Sequence, residues 1–106
     1  MRSGRRAVGR TSREGQPLLV LHLRAPEGAE PVRIGYVVPR AVGSAVTRNL
    51  VRRRLRHLVA DRLTLLPLGS ALVVRVLPDA ARASFSELAG ALDRALERSL
   101  GAGGPA

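Results

Sequence analysis

The sequence predicts an α+β domain, a small sheet built in the order β-β-α-β-α with its helices laid against it as a two-layer sandwich. Three observations carry this. Valine- and leucine-rich runs of strand length occupy residues 17–24, 32–38 and 71–77. Apolar residues recur at helical spacing after Ser44 and again after Ser84. Proline and glycine punctuate the joins. In the first strand Leu19, Leu21 and Leu23 fall on one face and Leu18, Val20, His22 and Arg24 on the other. A turn at residues 25–30 (APEGAE) leads to the second strand, ended by Pro39, and the simplest pairing of the two is a hairpin. Ser44 is placed to cap a helix that runs to about Leu65 and stops before Pro67. The near-continuous apolar run ALVVRVL at 71–77 suits an interior strand. Ser84 and Glu87, three apart, form a capping box for a last helix with Phe85, Leu88, Leu92, Ala95, Leu96 and Leu100 at helical spacing. Residues 1–16 read as a flexible basic arm, 17–100 as a single domain and 101–106 as a disordered tail beyond the Gly101 cap.

Composition narrows the function. Tyr36 and Phe85 are the only six-membered aromatic side chains, so the core is aliphatic. The absence of cysteine removes disulfides and thiolate metal sites, and two histidines are too few for a typical histidine site. No run approaches the roughly 18 apolar residues that span a membrane, and no secretory leader pattern follows Met1, which together suggest a cytoplasmic protein. The charge is unevenly spread. All 18 basic residues are arginine; thirteen face three acids in residues 1–60, and five face five acids thereafter. Residues 31–60 contain seven arginines and no acid, which suits a polyanionic partner.

The helix after Ser44 concentrates this signal. At about 100° per residue, Val51, Leu55, Leu58 and Val59 share a stripe that packs on the sheet. Arg48, Arg52 and Arg56 recur at one-turn spacing along its border, with Asn49 and Arg53 further round and Arg54 pointing elsewhere. No acid stands four residues away to relieve the repulsion, and several of these arginines occupy first turns, where the helix dipole disfavours cations. A row that carries both costs implies an anionic partner. Gly43 and Ser44 at the helix start supply an expected anion site, and guanidinium forks beside helix N–H groups describe phosphate binding.

Residues 33–56, RIGYVVPRAVGSAVTRNLVRRRLR, resemble the signature of the bacterial ribonuclease P protein subunit. That family has a strand ending Val-Ser-Lys, then Val-Gly-Asn-Ala-Val, then an Arg-Asn-Arg helix with a basic continuation. The resemblance is specific over residues 33–59 and extends more weakly from about Arg5 to Leu100. It implies a subunit that binds a catalytic RNA and assists removal of the 5′ leader from precursor tRNA, with Mg²⁺ held through the RNA and no cofactor bound by the protein alone. By position, Arg48 and Asn49 match the motif, Arg52, Arg53 and Arg56 its continuation, and Arg40 the lysine after the strand. The resemblance further implies a leader cleft between sheet and helix, with His22 at a position where the family often has tyrosine and Tyr36 and Val38 as candidate lining residues. It also implies a left-handed β-α-β crossover of the ribosomal S5 domain 2-like kind, against the general right-handed rule.

The sequence departs from the family pattern in three places. Leu50 stands at the motif's second arginine; Ser44 replaces the usual asparagine and Pro39 the usual serine. The family's opening helix, basic and bearing a phenylalanine, has no counterpart before Arg6. Its loss would uncover apolar sheet surface, which favours a start upstream of Met1.

No protein-based catalysis is expected. The acids are scattered, Asp93 and Glu97 read as solvated surface, and neither a phosphate-binding glycine loop nor a nucleophile motif is present. His57 reads as a surface residue or a weak RNA contact. Two other readings compete. One is a structural RNA-binding protein, for example a ribosome-associated one. The other, a DNA-binding regulator, is weaker because Asn49 is the one exposed base reader expected on the helix.

Overall fold

The structure, a computed structural model, describes residues 4–11, 14–24 and 26–101. Four strands, β1 (Gly4–Arg10), β2 (Pro17–Arg24), β3 (Arg33–Val37) and β4 (Ala71–Val76), form one sheet in the spatial order β1-β2-β4-β3. Two helices, α1 (Ala45–Ala60) and α2 (Phe85–Gly101), complete the domain. The α+β class and the one-sided helix layer are as the sequence predicts.

The pairing differs from the expected hairpin. β2 runs antiparallel to β1 on one side and to β4 on the other, whereas β3 pairs with β4 in parallel. β4 is the most continuously apolar strand and takes an interior place, with Leu72, Val74 and Val76 each no more than 1% exposed. The turn after β2 is instead pinned to the start of β4, where the Glu27 N–H donates to Gly69 O at 3.2 Å and the Arg33 N–H to Ser70 O at 3.1 Å. A local turn signal thus served a non-local connection.

The second difference lies at the N-terminus. Gly4–Arg10, read as part of a flexible arm, is an edge strand paired with β2 from Gly4↔Arg24 to Gly9↔Leu19. Its small residues explain both the weak apolar signal and the fold. Ala7 and Gly9 are buried because α2 crosses close above them. A Cβ added at Gly9 would stand 2.5 Å from Ala91 O and 2.7 Å from Leu19 Cδ1. Gly9→Ala is therefore expected to lower unfolding stability by about 2 kcal/mol, the usual cost of overpacking, checked by urea denaturation. The outer edge of β1 is closed by α2: Arg94 Nε donates to Arg10 O at 3.1 Å, and Arg98 donates to Val8 O. Two arginines of the electrically neutral C-terminal part thus cover backbone that would otherwise present an open strand edge.

The helix boundaries follow from capping. Ser44 Oγ accepts the Thr47 N–H at 3.2 Å. In α2 the capping box forms in both directions, Glu87 N–H to Ser84 Oγ at 3.0 Å and Ser84 N–H to Glu87 Oε1 at 2.8 Å. α1 is shorter than expected. It ends at Ala60, and Leu63–Leu65 continue as a 3₁₀ turn with the Leu65 N–H on Arg62 O. Leu63 and Leu65 are exposed, so no apolar stripe remains to hold a longer α-helix against the sheet. Arg62 closes the end of α1 onto α2 with a fork to Asp93, Nε to Oδ1 at 2.5 Å and Nη2 to Oδ2 at 3.2 Å. That hydrogen bond raises the already high arginine pKa further, against the opposing effect of burial.

One core joins both layers. Leu19, Leu21, Leu23, Leu72, Val74 and Val76 from the sheet meet Val51, Leu55, Leu58 and Val59 of α1 and Leu88, Leu92 and Leu96 of α2. Among the described residues neither α1 nor α2 places a core side chain on the opposite face of the sheet. The disordered tail expected at 101–106 lies, apart from Gly101, outside the described residues.

Candidate nucleic-acid interface

α1 is held to the sheet by its apolar stripe, with Leu55 wholly buried and Val51 1% exposed. The arginine row is fixed by that docking. Arg48 and Arg52 are half-buried at the border, and Arg53 and Arg56 are exposed. Among the described residues the ion pairs are Arg33–Glu30 and Arg62–Asp93, so no arginine of α1 is paired with a carboxylate. The row instead has contacts that orient it and leave donors free. Arg48 Nε donates to Gly43 O at 3.2 Å, and Arg52 Nη1 to Asn49 Oδ1 at 3.0 Å. The Arg56 guanidinium carbon lies 6.0 Å from the centre of the Tyr36 ring, within cation–π range. Tyr36 belongs to the edge strand β3, so the row runs beside that edge. Burial pushes the Tyr36 hydroxyl above the ordinary phenol range, with Arg56 opposing, and the ring stays neutral at physiological pH. Arg54 turns the other way and donates to Ala83 O at 3.3 Å, tying α1 to the chain before α2.

The helix start is more engaged than expected. The Gly43 N–H donates to Arg40 O at 3.0 Å in a 3₁₀ turn spanning Arg40–Val42, and Ser44 Oγ is occupied by capping. Gly43 is therefore not itself a donor of an anion site, whereas the Ser44 N–H has no partner within the protein among the described residues. Gly43 shapes the entry through its φ of 151°, which a side chain rarely adopts, and through the carbonyl that holds Arg48. The N–H groups of Ala45 and Val46, one residue further in, have no partner within the protein among the described residues. Arg40 is exposed at the start of the 3₁₀ turn, on the same approach to α1.

The three residues expected to line one cleft are divided by the sheet. His22 stands on the open face, paired across the strands with Arg6 and Val73. Tyr36 and Val38 lie on the helix-covered side, Tyr36 half-buried opposite Val74 and Val38 8% exposed in the core. The reason is register: Tyr36 pairs with inward-facing Val74, whereas Gly35 pairs with outward-facing Val73.

The same register reveals residues that sequence reasoning missed. One row across the open face reads Arg6, His22, Val73, Gly35; the next reads Val8, Val20, Arg75, Val37; a third brings Arg24 beside Ala71 and Arg33. Arg6, Arg24, Arg33 and Arg75 are all exposed, with valines between them and no carboxylate in these rows. This is a second basic surface, shallow and partly apolar, around the β3 edge from the arginine row. Alternation along 17–24 marks His22 and Arg24 as outward-facing, but only the strand order brings Arg6 and Arg75 beside them. Among the described residues no three His, Asp or Glu side chains gather where a metal ion could sit.

Comparisons with known proteins agree with this arrangement. The family model described as Ribonuclease P matches residues 5–100. The ribonuclease P protein component of Streptomyces bikiniensis is 57% identical over 105 aligned positions, covering 92% of this chain and 85% of the relative. That of Salinispora tropica is 47% identical and covers 85% and 79%. Among solved structures, the RNase P protein of Staphylococcus aureus superposes with a TM-score of 0.73 at 19% identity, covering 89% and 79% of the two chains. That of Thermotoga maritima gives 0.66 at 26% identity over 85% and 83%. A domain with this sheet order, an unpaired arginine row on its crossover helix and a family match along nearly its whole length belongs to the ribonuclease P protein component family.

Proposed function

We propose that this chain, as the protein component of ribonuclease P, docks on the catalytic RNA through the α1 arginine row and steadies the 5′ leader of precursor tRNA on the open sheet face. The observation that carries the reading is the row of Arg48, Arg52, Arg53 and Arg56, which lacks carboxylate partners among the described residues and flanks an exposed edge strand. Phosphates supply the missing counter-charge, and guanidinium forks suit them. The open face offers His22 for base contact among exposed arginines, with Val37 and Val73 exposed beside them, a surface suited to a single strand. The chemistry rests with the RNA and its Mg²⁺; the protein contributes binding and orientation in the cytoplasm.

The test is cleavage of precursor tRNA by the cognate RNA at low Mg²⁺, with and without this protein. Stimulation is expected, and it should be larger for a substrate with a leader of several nucleotides than for one with a single nucleotide. Absence of any stimulation, with RNA binding intact, would instead support a purely structural RNA-binding role.

A further inference from the structure

We infer that the exposed Phe85–His57 pair is a stacking site for an unpaired nucleobase of the partner RNA, beside the α1 arginine row and continuous with it. The inference rests on the RNA-binding reading and adds a contact to it.

Phe85 shares the helical spacing of the α2 leucines, but its ring is 42% exposed. Phe85 is the first residue of α2, ahead of the first buried leucine, Leu88, and it projects past the edge of the core. There it meets His57 of α1, with ring centres 6.0 Å apart and planes inclined by 57°. A tilted contact of this kind fixes the Phe85 ring against α1 without covering it. The chain has one phenylalanine, one tyrosine and no tryptophan, so a large ring left in water is not spill-over from an aromatic core.

The surroundings favour a nucleic acid as the occupant. Arg53 precedes His57 by one helical turn and is exposed. Arg54 reaches Ala83 O, two residues before Phe85, so the basic helix and the ring are held as one surface. Glu87, the nearest acid in sequence, has its carboxylate occupied by the Ser84 N–H. Each base has a π face, and an aromatic platform beside guanidinium groups binds unpaired bases with little sequence preference. An apolar protein partner would gain nothing from the uncompensated arginines.

The absence of tryptophan makes the test direct. Phe85→Trp introduces a single reporter at the site. Titration with the cognate ribonuclease P RNA is expected to quench its emission and shield it from acrylamide, whereas a fully paired RNA duplex of similar length binds without quenching. Phe85→Ala is expected to weaken binding of the cognate RNA about tenfold while leaving the salt dependence unchanged, because no charge is removed. Its thermal midpoint should fall only modestly, since the ring is 42% exposed and lies at the rim of the core. Unchanged Phe85→Trp emission in a complex that forms with normal salt dependence would overturn the inference and leave the RNA-binding reading standing. An emission change on raising protein concentration without RNA would assign the ring to self-association and overturn it likewise. If the parent protein itself shows no salt-dependent binding of the RNA, the earlier reading fails and takes this one with it.

Discussion

Replacing Arg48, Arg52 and Arg56 together by alanine is expected to reduce affinity for the ribonuclease P RNA by about a thousandfold, at about tenfold per phosphate contact. The slope of log affinity against log salt should flatten by about three units, because each guanidinium that meets a phosphate releases about one counterion. The physical basis is the lack of carboxylate partners among the described residues: removing these charges breaks no ion pair and should even relieve repulsion along α1. The triple variant loses the Gly43, Asn49 and Tyr36 contacts but is relieved of that repulsion, and it is expected to stay folded with near-parent stability while binding poorly. Filter binding or fluorescence anisotropy at several salt concentrations measures both quantities. Arg54→Ala is the matched control, since Arg54 is turned toward Ala83 O. It should leave the slope nearly unchanged, and a slope loss as large as that for Arg52→Ala would place Arg54 on the interface too.

Leu55→Ala is expected to destabilise the domain by about 3 kcal/mol. Leu55 is wholly buried in the α1 stripe, in a core made almost entirely of aliphatic side chains. For a domain whose total stability is on the order of 5–15 kcal/mol, this is a large fraction. Urea denaturation should show a lowered midpoint with an unchanged m-value. Leu50→Ala, on the outward side of the same helix where the side chain is only half-buried, should cost less than about 1 kcal/mol. Equal losses at the two positions would contradict the placement of the α1 stripe. Because the arginine row is held by that stripe, Leu55→Ala should also weaken RNA binding at temperatures where the variant is partly unfolded, and added RNA should raise its Tm.

The parts of the molecule legible in the sequence are those fixed by neighbours within a turn or two. The Ser44 cap, the Ser84–Glu87 capping box, the buried stripe of α1 and the arginines on its border all follow from residues three or four apart, and each is found in the structure. The alternation of β2, with Leu19, Leu21 and Leu23 inward and His22 and Arg24 outward, is equally local. β1 is not legible as a strand because its buried positions are Ala7 and Gly9. Those residues give little hydrophobic signal, and they are small because the α2 backbone passes directly over them. Helical spacing aligns Phe85 with the α2 leucines, but spacing does not record where a helix begins relative to the edge of its sheet.

The sequence by itself determined the α+β class, the chemistry of the basic helix and the family resemblance, because helix periodicity, capping and charge are properties of short stretches of chain. Tertiary structure decided the strand order, which separates β2 from β3 by inserting β4, and therefore which side chains share a surface. It placed His22 with Arg6 and Arg75 on the open face and sent Tyr36 beneath Arg56 on the other side. The physical reason is that strand pairing is chosen by contacts between residues tens of positions apart, through the burial of a shared apolar face. A shift of one residue in register sends every side chain of a strand to the opposite side of the sheet.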